Sequence, residues 1–73
     1  MAFDNIVVVL KLTPRQLQTL ECLRDGLTDK EIAARFGISY RTATGHVSVV
    51  LLKLTAKTRA QAVAQGMRRR LIA

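Results

Sequence analysis

Residues 28 to 47, TDKEIAARFGISYRTATGHV, hold two helix starts eleven residues apart with a glycine between them. Thr28 is followed three residues later by Glu31, the spacing of a capping box, in which each side chain satisfies the other residue's orphan backbone N–H. Ser39 is a good N-cap for a second helix. Gly37 falls where the first of these helices has to end, and glycine enters the left-handed region at far lower cost than any other residue. Two short helices joined so tightly are forced to cross at a steep angle, which is the layout of a helix-turn-helix.

Caps of the same kind predict two further helices. Thr13, Pro14 and Gln16 supply an N-cap, a first-turn proline and a capping-box partner for a helix over about residues 14 to 25, stopped by Gly26. Leu17, Leu20 and Leu23, with Cys22 beside them and Leu27 just past the end, give it one buried face. The helix over about residues 29 to 36 buries Ile32, Ala33 and Phe36. The next, from Ser39 to about residue 54, carries an inward stripe of Ala43, Val47, Val50, Leu51 and Leu54. Arg41, Thr44, Gly45 and Ser48 stand on its other side, and Gly45 inside a helix costs about 1 kcal/mol relative to alanine. Thr58 and Gln61 form a last capping box ahead of a helix over about residues 59 to 69, read with Ala60, Val63, Ala64 and Met67 inward. The expected fold is therefore all-α, a four-helix domain over residues 11 to 73 with its motif at 28 to 47 and a short N-terminal extension of residues 1 to 10.

That extension contains Ile6-Val7-Val8-Val9, a β-branched run that disfavours a free helix. Three placements are open to it: packing on the helical core, pairing as a strand with a second molecule, or an unpaired arm. The run is too short for a membrane span, and it lacks the basic region and cleavage site of a signal peptide. At 73 residues with one cysteine, the chain has no internal disulfide and no Cys-rich zinc site, which fits a cytoplasmic protein. One histidine and five scattered acids offer no nucleophile and base at a shared spacing. Neither an enzyme nor a cofactor is expected.

Charge adds a partner to the shape. Four basic against five acidic side chains give residues 1 to 34 a charge of −1, whereas eight basic and no acidic ones give residues 35 to 73 a charge of +8. A partition of this kind suits a polyanion.

Taken in order, Leu12-Thr13-Pro14-Arg15, Gly26-Leu27-Thr28, Lys30-Glu31-Ile32-Ala33, Ile38-Ser39, Arg41-Thr42, His46-Val47-Ser48, Lys53-Leu54 and Arg59 with Ala62 resemble the LuxR-type (GerE-like, NarL-like) DNA-binding domains of bacterial transcription regulators. The likeness covers about residues 11 to 72. It implies that the third helix, about residues 40 to 54, enters the major groove and that the fourth mediates dimerisation, for which Ala62, Val63 and Gly66 are the candidates. The chain departs from the pattern at Gln16, Ala43, Thr44 and Val49. Of these, Thr44 stands where the family has a lysine, so a cation able to reach phosphate or guanine is absent.

The candidate DNA-binding residues are Thr28, Lys30, Ser39, Arg41, Thr42, Thr44, Gly45, Ser48, Lys53 and Arg59. Helix N-termini at Thr28 and Ser39 offer unpaired N–H groups to phosphate oxygens, and Lys30, Arg41, Lys53, Lys57 and Arg59 offer cations. Thr42 adds a hydroxyl. For base edges the candidates are Thr44, Gly45 and Ser48, with Arg41 able to reach guanine bidentately. His46 reads as a ring packed at the helix flank ahead of a phosphate ligand, and Tyr40 either as a partly buried brace of the turn or as a ring lying along the sugar backbone. The expectation is a stand-alone transcriptional regulator in the bacterial cytoplasm, associated with the nucleoid, acting as a homodimer on double-stranded DNA. The alternative is a protein-interaction module that pairs with a related full-length regulator or with RNA polymerase. No membrane and no small-molecule substrate is expected.

Overall fold

The computed structural model describes residues 11–73. It contains four helices, α1 (Pro14–Arg24), α2 (Asp29–Phe36), α3 (Tyr40–Lys53) and α4 (Arg59–Arg68), and no strand among the described residues. The all-α expectation is met, with each helix ending within a residue of its predicted limit. The extension of residues 1 to 10 lies outside the described residues.

Side-chain oxygens open all four helices. Thr13 and Gln16 exchange bonds of 3.2 and 2.9 Å, and Thr28 and Glu31 exchange bonds of 3.2 and 2.8 Å. Both are complete capping boxes. Ser39 Oγ accepts from the Thr42 N–H at 3.0 Å. At α4 the box is only half formed: Thr58 Oγ1 accepts from the Gln61 N–H at 3.1 Å, but Gln61 Oε1 accepts from the N–H of Lys57, at 2.7 Å, and not from that of Thr58.

The four C-termini close alike. In each, a residue in the left-handed region donates to the carbonyl three back, and the residue after it donates to the carbonyl five back. Leu27 to Cys22 is 3.0 Å, Ile38 to Ala33 is 3.0 Å, Ala56 to Leu51 is 2.8 Å and Leu71 to Gly66 is 2.8 Å. Gly26 and Gly37 hold the left-handed position after α1 and α2 at φ 83° and 64°, while Thr55 and Arg70 hold it after α3 and α4 at φ 54° and 59°. A side chain there costs on the order of 1–2 kcal/mol, which the two backbone bonds of the closure offset.

α3 is the hub, packing against the other three helices, and α1 also packs against α4. Leu20, Ile32, Val50 and Leu54 are the large apolar residues fully buried at the centre, with Ala43, Val47 and Ala62 around them. Ile72, beyond the last helix, folds back into this core, a contribution that periodicity gives no reason to expect. Thr19 is fully buried as well, and its hydroxyl is satisfied by donating to the Arg15 carbonyl at 2.9 Å.

The orientation of α4 is the reverse of the sequence expectation. Ala62 and Gly66 face the core, whereas Ala60, Ala64 and Met67 are exposed and Val63 is half-buried. A Cβ on Gly66 would stand 2.7 Å from Leu20 Cδ2 and 3.3 Å from Ile72 Cγ1. Close approach of α1 and the chain end therefore selects the small face of α4. Ala62 and Gly66 lie inside the protomer and are not available to a partner, which corrects their assignment to dimerisation.

Candidate nucleic-acid interface

The site is built outward from α3. Burial of Ala43, Val47, Val50 and Leu54 fixes the helix's rotation, and at 100° per residue this turns Arg41, Thr42, Gly45, Ser48, Val49 and Leu52 to solvent. All six are exposed, Leu52 at 75% and Val49 at 37%. Tyr40, the first residue of α3, is 62% exposed and so does not brace the turn as a partly buried ring. His46 is half-buried on the flank, as expected.

Thr44 is on the opposite flank and is already engaged. Its hydroxyl donates to Asp29 Oδ2 at 3.2 Å. Asp29, the first residue of α2, has a side chain only 11% exposed, and its Oδ1 lies 2.6 Å from Arg59 Nη2. That oxygen is buried and takes no aligned hydrogen bond, so the contact is ionic. One carboxylate thus ties the N-terminus of α2, the middle of α3 and the N-terminus of α4. It also cancels a cation at the positive end of the α4 dipole, where Arg59 alone is unfavourable.

Two of the candidate contact residues take part in this cluster. The Thr44 hydroxyl donates to Asp29 in the protomer. The Arg59 guanidinium is about half exposed at 47%, but its charge is balanced. Asp29 has no counterpart among the residues singled out from the sequence. Its partners lie 15 and 30 positions away, beyond the reach of any helical period.

Lys53 is likewise spent internally. Its ammonium donates to the Lys11 carbonyl and to Gln16 Oε1, both at 2.9 Å, and pins the start of the domain against α3. Ser39 Oγ both accepts from the Thr42 N–H and donates to Thr42 Oγ1, at 2.8 Å, so its own side chain is used in the cap. Thr42 keeps a hydroxyl proton directed elsewhere. Lys30, Arg41, Thr42, Gly45 and Ser48 remain exposed, as do Thr28 and the N-terminal turn of α3 at Ser39. The Glu31 carboxylate beside Thr28 is held below its usual range, first by the Thr28 backbone N–H and then by the Thr28 side chain.

A short scaffold helix, a left-handed glycine turn and a second helix with one clear exposed face define a helix-turn-helix domain. The model of the luxR family of bacterial regulatory proteins matches residues 10–66, and the chain belongs to that family. It is 40% identical over 57 residues to the spore germination protein GerE, a span covering 78% of this chain and 77% of GerE. It is 38% identical over 60 residues to the transcriptional regulatory protein LnrK, covering 82% of this chain and 27% of LnrK. To the transcriptional regulatory protein DesR it is 36% identical over 55 residues, covering 75% of this chain and 28% of DesR. All three are proteins of Bacillus subtilis (strain 168). The match thus takes in most of GerE but only about a quarter of LnrK and of DesR.

Proposed function

We propose that this chain is a sequence-specific DNA-binding transcriptional regulator that inserts α3 into the major groove. The observation that carries the reading is the exposed side of α3, which bears Arg41 and no carboxylate and begins at an exposed helix N-terminus. The first-turn backbone N–H groups after Ser39, the Lys30 ammonium and the Thr42 hydroxyl take phosphate oxygens. Arg41 and Ser48 reach base edges, and Gly45 lets the helix approach. Tyr40 lies along the sugar-phosphate backbone. LnrK and DesR carry the words transcriptional regulatory protein in their names, which supports the same role here.

The working unit is a homodimer on a two-fold site with half-sites about one helical turn apart. Its contact runs along the outward strip of α4, Ala60, Ala64 and Met67, where Met67 is 45% exposed. A second copy is the occupant because like strips are self-complementary under two-fold symmetry. Such a protein works beside the chromosome in the cytoplasm.

Selection of bound duplexes from a random pool tests the reading. Arg41→Ala is expected to relax preference at one base position per half-site, while Lys30→Ala weakens all sequences alike. Uniform loss from both variants denies Arg41 a reading role, and binding only after a related regulator is added favours the interaction-module alternative.

A further inference from the structure

Arg41, Gly45, Ser48 and Leu52 recur at intervals of four, three and four residues, so they lie along one line of α3, with Val49 beside it. The lower half of this line is apolar. Leu52 is 75% exposed and Val49 37%, on a helix whose inward stripe is complete without either. Gly45 sits between the arginine and the apolar pair. A Cβ there would meet nothing within 4 Å, so no packing inside the protomer calls for glycine, although glycine weakens the helix.

Charge decides what this face meets. No Asp or Glu occurs after Glu31 in the sequence, and α3 itself carries only Arg41 and Lys53 as charged residues apart from His46. The apolar pair is therefore set on a face with no carboxylate, whose potential suits a polyanion and not a basic or neutral protein groove. In the major groove the 5-methyl of thymine is the one apolar group that projects from a base edge, beside polar donors and acceptors and flat C–H edges.

We propose that Val49 and Leu52 read thymine 5-methyl groups, and that Gly45 is glycine so that α3 can approach the base edges closely enough for them to do so. The inference rests on the DNA-binding reading above. Arg41 and the apolar pair are separated by roughly 12–16 Å of helix. They address different base pairs, a guanine at the α3 N-terminus and thymines a few pairs away.

Deoxyuridine tests this directly, since it keeps every hydrogen-bonding group of thymine and removes only the methyl. A 25-base-pair duplex chosen by selection against the full chain is made with each thymine replaced singly. Wild-type affinity is expected to fall about three- to fivefold at one or two positions. Val49→Ala and Leu52→Ala each bind the thymine and uracil duplexes alike at one of those positions, with helical content unchanged by circular dichroism. Gly45→Ala raises the melting temperature and weakens the selected duplex. Equal affinity of the wild type for every uracil duplex overturns the inference and leaves DNA binding standing. So does a Leu52→Ala protein that loses dimer mass in sedimentation yet keeps the full thymine dependence, because the pair is then a chain-to-chain contact. Failure of the wild type to bind any duplex overturns the DNA-binding reading itself.

Discussion

At Gly66 an added Cβ has no room: Leu20 Cδ2 would lie 2.7 Å away, and Leu20 is fully buried and cannot swing clear. Gly66→Ala is expected to cost about 1–3 kcal/mol through overpacking. Urea unfolding reads this as a lower midpoint, and an unchanged midpoint contradicts the inward placement of this face. Glu31 gives a second residue-level expectation. Its carboxyl is acidified in the folded protein by the Thr28 N–H, so the charged form is the one folding favours. The stability it adds is present above the unfolded value of about 4.3. It is lost as pH falls through the lower folded value. Glu31→Gln keeps an acceptor for Thr28 and is expected to flatten the stability profile as pH falls below the unfolded glutamate value of about 4.3. An unaltered profile from thermal melts denies Glu31 that role.

Among the elements, helices opened and closed by local signals were legible from the residues alone. Thr13, Thr28, Ser39 and Thr58 each bond to the N–H three positions on, which is why their helices begin where the sequence says. α4 was legible in extent but not in orientation. Ala60, Val63, Ala64 and Met67 make the more apolar stripe, yet the face of Ala62 and Gly66 is the smaller one and the one that is buried. Only the approach of Leu20 and Ile72 decides between them, and that is a tertiary fact. The Asp29 cluster was illegible for the same reason. It joins α2, α3 and α4 through Thr44 and Arg59, and holds a threonine and an arginine that look, in sequence, free to touch a ligand. Thr44→Val and Asp29→Ala are each expected to destabilise the domain, and their double-mutant cycle to show a coupling of about 0.5–1.5 kcal/mol. Strict additivity in chemical denaturation removes the hydrogen bond from the account.

Over the whole molecule, the charge partition and the fold converge. All five acids precede residue 35, and the one at position 29 is paired with Arg59, so the carboxylates are segregated from the basic half. The reading side of α3 carries little charge of its own, with Thr44 turned to Asp29 and Lys53 turned to Lys11 and Gln16. On the proposed reading, affinity comes chiefly from phosphate contacts around α3, and discrimination from Arg41 and a small, partly apolar surface. This balance is visible in the dependence of binding on salt, because each neutralised phosphate releases counterions. The decisive measurement is the affinity for a selected duplex, by fluorescence anisotropy, across a series of salt concentrations. A dimer holding about eight phosphates gives a slope of log affinity against log salt near −7. A slope near zero, or no binding at low salt, contradicts the account.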